Sequence, residues 1–200
     1  MLEVEIRARI KKPSEIQTKL LELGFVAEAP LRQLDLILDT PDANLFRSGR
    51  KLRIRVENSF AELTYKGIFL GDQDVSRREE LDIPISAEAV EQYLRVFEAL
   101  GFPLCARIPK TRHKFTKDKL TVSFDEWPII GCLVEIEGEE TQSRNLAHVL
   151  SPSTKFSNYR LSDLFAELEA ESGMDFGQLK ETYEKTTGFK LGRLDLLIGR

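Results

Sequence analysis

The sequence predicts an α+β fold in which antiparallel strands close into a barrel and helices pack on its outside. Several segments alternate strictly between apolar and polar residues, which is the period of a β-strand with one buried face. Other segments carry apolar residues at helical spacing. The polar strand faces are rich in Glu, Asp and Arg, whereas exposed sheet surfaces favour Thr, Ser, Gln and Lys. Charged faces of this kind can line the inside of a closed sheet while the helices cover its apolar outside.

The first strand has the clearest pattern. It is predicted over residues 2–10, where the apolar face consists of Leu2, Val4, Ile6, Ala8 and Ile10. The opposite face carries both signs of charge, on Glu3, Glu5, Arg7 and Arg9. A helix is predicted over 14–23 because its apolar residues recur at helical spacing and Gly24 follows as a C-cap.

The remaining elements follow from the same two periodicities. Up to residue 100, we predict a strand over 31–39, a turn at 40–44 with a short element ending at Gly49, strands over 51–57, 61–66 and around 78–82, and a helix over 87–100. After residue 100, we predict strands over 108–115, 120–125 and 133–139, then helices near 141–150, 161–171 and 177–187. A chain of 200 residues suits one core, so we predict a single domain over 1–190 and a short tail, 191–200.

Composition excludes several classes of protein. The 42% hydrophobic and 31% charged residues are typical of a globular domain, and no apolar run is long enough to span a membrane. The first residues lack the features of a signal peptide, so we expect a cytoplasmic protein. A net charge of −4 argues against binding of extended nucleic acid. Cys105 and Cys132 have no second Cys or His at metal-ligand spacing, and we expect ordinary buried thiols.

The charged faces suggest a chemistry. For any single strand, a polar face in contact with water is the simpler interpretation. A set of inward faces would instead need counter-charges, because buried like charges are destabilising. Divalent cations such as Mg²⁺ or Mn²⁺ prefer carboxylate oxygens, and Arg and Lys match phosphate oxygens. The pattern therefore favours a site for a metal ion and a polyanion.

The order of these motifs resembles the CYTH superfamily, the triphosphate tunnel metalloenzymes. Glu3-x-Glu5-x-Arg7 resembles its ExExK signature, and further motifs follow over roughly residues 1–140: Gln33-x-Asp35, Leu52-Arg53-Ile54-Arg55, Leu63-Thr64-Tyr65-Lys66-Gly67, Arg78-x-Glu80-x-Asp82, Lys110-x-Arg112, Asp125 and Glu135-Ile136-Glu137. The resemblance implies a closed eight-stranded antiparallel barrel whose tunnel binds triphosphate with Mg²⁺ or Mn²⁺. The resemblance neither implies nor excludes a homodimer.

The resemblance also implies roles for individual residues. It assigns metal binding to Glu3, Glu5, Glu80, Asp125, Glu135 and Glu137. It assigns phosphate binding to Arg7, Arg9, Arg53, Arg55, Lys66, Arg78, Lys110 and Arg112. Direct catalytic roles fall to Glu5, Arg53, Lys66 and Glu137. The chain departs from the family at Arg7, where the signature has Lys, and at Ile37, where an aromatic residue is common. A family tyrosine near the end has two candidates, Tyr159 and Tyr183.

Three other side chains are weaker candidates for a functional role. His113 lies on the strand face opposite Lys110 and Arg112, so we expect it to point out of the tunnel. We expect no catalytic role for His148 either. Trp127 could stack on an organic ring, but its place beside Pro128 favours packing in a hairpin loop.

Three functions are compatible with a tunnel of this kind. The favoured one is a metal-dependent hydrolase of inorganic tripolyphosphate or of an organic triphosphate such as thiamine triphosphate or a nucleotide. The alternative is a class IV adenylyl cyclase that converts ATP to cyclic AMP and pyrophosphate, for which the sequence has no recognisable adenine site. A non-catalytic polyphosphate or nucleotide-binding module is the third, although it would not need the carboxylate pairs that this chain retains.

Overall fold

The computed structural model describes residues 2–68, 70, 75–129, 131–150, 161–188, 190 and 192, and for residues 2, 3, 161 and 162 it describes the backbone alone. Within this part of the chain the strands are β1 (Leu2–Ile10), β2 (Val26–Ala27), β3 (Leu31–Leu38), β4 (Lys51–Glu57), β5 (Phe60–Lys66), β6 (Ser76–Ser86), β7 (Leu104–Lys117), β8 (Leu120–Trp127) and β9 (Gly131–Glu137). The helices are α1 (Pro13–Glu22), α2 (Asn44–Arg47), α3 (Val90–Ala99), α4 (Glu140–Leu150), α5 (Leu161–Ser172) and α6 (Phe176–Thr187), with a short 3₁₀ turn, Ala87–Ala89, before α3.

The sheet closes on itself. Its strand order is β7-β3-β4-β5-β6-β1-β9-β8, and β8 pairs with β7 again. All the pairings are antiparallel. The predicted α+β fold with a closed eight-stranded barrel and outer helices is therefore confirmed.

One short strand was not predicted. The two residues of β2, Val26 and Ala27, pair with Thr116 and Phe115 of β7. Strand β7 is long, from Leu104 to Lys117, because one of its edges pairs with both β3 and β2 while the other pairs with β8. The sequence pattern predicts only the central 108–115 of this strand, since alternation is weaker towards its ends.

Helices α1 and α4 cover one side of the barrel. Ile16 and Leu20 of α1 and Leu146 and Leu150 of α4 pack against outward residues of β1, β8 and β9, such as Ile136. Complete burial of an aliphatic side chain of this size contributes about 1.5–3 kcal/mol. The apolar outer face thus holds the sheet closed, and the polar face is left to point inward.

Two further clusters complete the outside. Helix α3 packs on β3, β4 and β5 through residues such as Val90 and Phe97. Helices α5 and α6 pack Leu164, Leu179 and Tyr183 against Ile37 and other residues of β3 and β7. Helix α6 has a capping box between Asp175 and Gln178 and ends at Gly188, whose φ of 70° suits glycine. None of the described helices is both long enough and apolar enough to cross a membrane.

Candidate functional site

The inward faces of the barrel strands enclose a cavity of about 710 Å³. Most of the side chains predicted from the sequence line it: Arg7, Arg53, Arg55, Lys66, Arg78, Glu80, Lys110, Arg112, Asp125, Glu135 and Glu137. They converge because alternate residues of a strand share a face and a closed sheet turns one face inward. The volume lies within the usual range for small-molecule sites.

Three carboxylates meet where β1 pairs with β9: Glu135 and Glu137 line the cavity, whereas Glu5 is buried and is not among the lining residues. Glu5 lies directly opposite Glu137 in the strand register, and Arg7 lies opposite Glu135. One carboxylate oxygen from each of Glu5, Glu135 and Glu137 lies within 4.8 Å of the others. Three negative charges this close repel one another unless cations neutralise them. The donor set consists of oxygens alone, which suits a hard divalent cation.

Arginines surround this carboxylate cluster. Arg7 donates to Glu5 at 2.8 Å, and its Nε lies 2.9 Å from Glu135. Arg78 donates to Glu5 at 3.2 Å, and Arg112 donates to Glu135 at 2.7 Å. Burial raises the pKa of Glu135, but Arg7 and Arg112 outweigh it and hold that pKa well below the usual value. Glu135 is therefore ionised and able to act as a metal ligand.

A second charged group lies on β3, β4, β7 and β8. Asp35 is buried and lies 2.7 Å from Arg55 and 3.4 Å from Lys110. Asp125 accepts from Lys110 at 2.5 Å and from Arg112 at 2.6 and 2.7 Å. Both carboxylates are thus occupied by bases. The metal-binding role of Asp125 stays a prediction. In the geometry observed, Asp35 and Asp125 orient the neighbouring basic side chains.

The pKa values in this group follow from burial and charge. Burial raises the pKa of Asp35, but Lys110, Arg55 and Arg53 hold it well below the usual value. Asp125 is shifted in the same direction, because Lys110 and Arg112 outweigh the effect of burial. Burial lowers the pKa of Lys110 to about 8, with Asp35 opposing that shift. Lys110 therefore remains protonated at neutral pH.

Some predicted site residues lie elsewhere. Arg9 does not line the cavity, and its guanidinium forms ion pairs with Glu167 at 3.3 Å and Glu171 at 2.9 Å on α5. The side chain of Glu3 lies outside what the structure describes, although its backbone pairs with Arg78. Glu80 lines the cavity and forms an ion pair with Lys66 at 3.1 Å. The metal roles of Glu3 and Glu80 stay predictions.

The weaker candidates are also placed. His113 lies 3.6 Å from Glu126 and is not among the cavity-lining residues, as expected, and His148 is exposed on α4. Tyr183 is buried under the barrel end, where burial raises the pKa of its hydroxyl group, and its competitor Tyr159 lies outside the described residues. Cys105 and Cys132 are buried and form no disulfide within the described part of the chain.

One end of the cavity is apolar. It is lined by Ile37, Phe46, Ile108, Trp127 and Leu133, which also pack against α5 and α6. The expected place of Trp127 in a hairpin loop is wrong, because it is the last residue of β8 and packs in the cavity wall. The Lys110 ammonium lies 5.8 Å from its ring centroid, within cation–π distance. The cavity therefore has a charged part and an apolar part.

Sequence reasoning missed three cations that line the same cavity: Arg47, Arg50 and Lys51. Arg47 ends α2, and Lys51 is the first residue of β4. Lys51 could have been found, because it lies two residues before Arg53 and so shares its strand face. Arg47 and Arg50 precede the strand, and no periodicity points to them.

Comparison with known proteins agrees with this geometry. The family model of the CYTH domain matches residues 1–164. A protein of Methanocaldococcus jannaschii named "Putative adenylate cyclase MJ0240" is 31% identical over 137 residues, which cover 68% of this chain and 77% of that protein.

Solved structures resemble the fold as well. The PH1819 protein of Pyrococcus horikoshii is 26% identical, with a TM-score of 0.67 over 82% of this chain and 98% of that one. HpAC1 of Hippeastrum, described as an adenylyl cyclase candidate with a dominant triphosphatase activity, is 21% identical and shares the fold at a TM-score of 0.62, over 84% of this chain and 96% of that one. The tunnel, its carboxylate cluster and the match over 1–164 place this chain in the CYTH domain family.

Proposed function

We propose that the protein is a divalent-metal-dependent triphosphatase. The observation that carries the proposal is the cluster of Glu5, Glu135 and Glu137 beside Arg7 and Arg112. All of these except the buried Glu5 line one cavity. Hydrolysis of a phosphoanhydride needs a metal site next to cations that hold phosphate oxygens. Two similar proteins are named for adenylyl cyclase or triphosphatase activity, so the proposal chiefly concerns which reaction this chain performs.

The carboxylate cluster would hold Mg²⁺ or Mn²⁺. Glu5, Glu135 and Glu137 offer the oxygen ligands that these ions prefer, and their mutual repulsion would be relieved by a bound cation. The metal would supply charge neutralisation at the phosphate and a lower pKa for the attacking water. Arg7 and Arg78, which pair with Glu5, would then be released in part to contact phosphate oxygens.

The bases of β4 and β5 would hold the phosphate chain. Arg53 donates to Thr64 at 3.0 Å, whereas its nearest carboxylate contacts, to Asp35 and Glu62, are as long as 3.8 and 3.9 Å. Its buried Nε has no hydrogen-bond partner among the residues that the structure describes. A guanidinium with unsatisfied donors that faces a cavity suits a phosphate group. Arg53 and Lys66 are therefore the cations to which we assign direct catalytic roles.

A second reaction has support of its own. The apolar end of the cavity could accommodate an organic head group, as adenylyl cyclase activity on ATP requires. The relative from Methanocaldococcus jannaschii also carries the name of a cyclase, marked as putative. The hydrolase stays first because charged residues dominate the cavity lining and because hydrolysis needs no pre-positioned ribose hydroxyl. A non-catalytic binding module ranks third, since it has no use for the carboxylate cluster.

One assay separates these functions. Purified protein is incubated with Mg²⁺ or Mn²⁺ and, in turn, with tripolyphosphate, thiamine triphosphate and ATP, while phosphate, pyrophosphate and cyclic AMP are measured. A triphosphatase releases phosphate, and chelation of the metal with EDTA stops it. Cyclic AMP and pyrophosphate from ATP would replace the proposal with the cyclase. Binding of all three without turnover would leave the binding module.

The proposal also concerns the location of the protein and its partners. We propose that it works in the cytoplasm on small-molecule triphosphates, without extended nucleic acid or membrane partners, and that a homodimer is compatible with this role. The net charge of −4 supports the exclusion of extended nucleic acid, because counter-ion release requires a large basic surface.

A further inference from the structure

Lys51 is the residue on which the next inference rests. It begins β4, lies two residues before Arg53 on the same strand face and lines the cavity. Its direct cross-strand neighbour on β5 is Lys66. Two lysines and an arginine therefore lie side by side in one region of the cavity wall.

The neighbouring bases have carboxylate partners. Lys66 lies 3.1 Å from Glu80, Arg55 lies 2.7 Å from Asp35, and Lys110 lies 2.5 Å from Asp125. Within the described ranges, Lys51 forms no ion pair within 4.0 Å of any carboxylate. Lys51 therefore has no direct ion-pair partner among the described residues, and Asp35 acts on it only at longer range.

The carboxylate of Asp39, which lies next to Lys51 in the strand register, already accepts hydrogen bonds from the backbone. Asp39 follows β3, next to the register position at which Leu38 pairs with Leu52. Its oxygens accept from the backbone N–H groups of Thr40 at 2.7 Å and of Leu45 and Phe46 at 2.9 Å each. Asp39 is thus used to hold the start of α2, and within the described ranges it forms no ion pair with Lys51.

We propose that Lys51 binds a phosphate group of the substrate polyanion and supplies a contact that the paired bases of the tunnel do not. This rests on the proposed function, because it takes a triphosphate as the occupant of the cavity. An ammonium in a cavity, surrounded by other cations, is unfavourable unless an anion joins it. A phosphate group has the negative charge and the acceptor oxygens that an ammonium needs as a partner.

Binding should then be linked to a proton. Burial, followed by the charge of Arg53, holds the pKa of Lys51 well below its usual value, and Lys66 and Arg7 act in the same direction. Asp35 is the group that opposes the shift. An anion placed beside Lys51 favours the protonated form, so it raises this pKa. The protein should therefore take up a proton when the polyanion binds, and affinity should fall as pH rises.

Calorimetry on the intact protein tests the inference. Tripolyphosphate is titrated into the protein in the presence of EDTA, in buffers of different ionisation enthalpy, so that the heat reports proton uptake as well as affinity. The variants are Lys51→Met, which removes the charge, and Lys51→Arg, which keeps a charge that does not titrate. Lys119→Met, at an exposed position in the β7–β8 turn, is the matched control.

The expected results differ for each variant. Lys51→Met should weaken binding about tenfold or more, the effect of losing one hydrogen bond to a charged group, and should reduce proton uptake. Lys51→Arg should retain affinity while proton uptake falls. Lys51→Met should melt at no lower a temperature than the wild type, since it removes a group whose charged form has no direct ion-pair partner among the described residues. Lys119→Met should match the wild type in all three measurements.

The contrary outcomes are distinct. If Lys51→Met binds tripolyphosphate as tightly as the wild type with unchanged proton uptake, the role of Lys51 is wrong and the proposed function stands. A lower melting temperature with unchanged affinity would assign Lys51 to structure and would also overturn the inference. If the wild type binds with the expected proton uptake but hydrolyses no triphosphate, the inference stands and the proposed function falls. If the wild type binds no tripolyphosphate in EDTA, the inference falls, and the turnover assay with Mg²⁺ or Mn²⁺ tests the proposed function separately.

Discussion

Arg55 and Asp35 form a two-pronged ion pair across β4 and β3, with Nε 2.7 Å from Oδ1 and Nη2 3.1 Å from Oδ2. The strand register places the two residues directly opposite each other. Lys110 reaches the same carboxylate from β7 at 3.4 Å. Asp35 therefore neutralises bases from two neighbouring strands and fixes their positions in the cavity wall.

Replacement of Asp35 should destabilise the barrel. Asp35→Asn leaves Arg55 and Lys110 buried with one fewer counter-charge, and removal of one partner of a buried pair typically costs about 3–5 kcal/mol. Urea unfolding measures the change in the free energy of unfolding. Glu28→Gln is the control, because it removes an exposed pair with Lys114, which should contribute about 0–1 kcal/mol. Equal midpoints for both variants would contradict the role of Asp35.

The same residue should contribute to the pH dependence of stability. The folded-state pKa of Asp35 is lowered, so its contribution is present above the unfolded pKa of about 4 and is lost as pH falls through the folded value. The wild type should therefore lose more stability than Asp35→Asn between pH 7 and strongly acidic pH. Urea midpoints across that range test this. Parallel pH profiles would show that Asp35 is not the group responsible.

The carboxylate cluster yields a prediction about metal dependence. Glu5→Gln and Glu137→Gln should each abolish metal-dependent turnover, because an amide is a weaker ligand for Mg²⁺ or Mn²⁺ than a carboxylate. Circular dichroism should show an intact fold. Glu126→Gln, on an exposed side chain beside His113, should retain wild-type turnover. Full activity in both cluster variants would remove the metal site from the proposal.

Arg7 and Arg9 should behave differently although they share a strand face. Arg7 lines the cavity and contacts Glu5 and Glu135, so Arg7→Ala should raise the KM for tripolyphosphate. Arg9 is held by Glu171 on α5, so Arg9→Ala should leave KM close to that of the wild type and affect chiefly the attachment of α5. Steady-state kinetics and limited proteolysis separate the two effects. A rise in KM with Arg9→Ala equal to that with Arg7→Ala would restore Arg9 as a phosphate ligand.

This contrast shows where strand periodicity stops being informative. Alternation assigns residues to a face of the sheet, and Arg7, Glu135 and Glu137 do line one cavity, with a carboxylate oxygen of the buried Glu5 within 4.8 Å of those of Glu135 and Glu137. It does not say how far along the barrel a residue lies. Arg9 has the right face but lies near the end of β1, where glutamates of α5 reach it.

Other features of the fold could not be predicted, because the local sequence carries too little information about them. Strand β2 has two residues, which is too short for any periodicity, and its pairing with β7 depends on the tertiary fold. Asp35 was recognisable as part of a motif, but its use as an anchor for bases depends on the register of three strands. The apolar end depends on α5 and α6, which lie more than 30 residues beyond β8 in the chain and meet Trp127 only after folding.

The apolar end should determine preference between organic and inorganic substrates. If an aromatic head group packs on Trp127, Trp127→Leu should lower kcat/KM for ATP or thiamine triphosphate by roughly 5- to 100-fold, the equivalent of about 1–3 kcal/mol of stacking. Turnover of tripolyphosphate, which has no head group, should change little, because the phosphate-binding cations are retained. Phe60→Leu, at an exposed aromatic residue that is not among the cavity-lining residues, controls for loss of an aromatic ring. An equal loss for organic and inorganic substrates would mean that Trp127 supports the barrel wall through its packing with Phe46 and Leu133 and does not select the substrate.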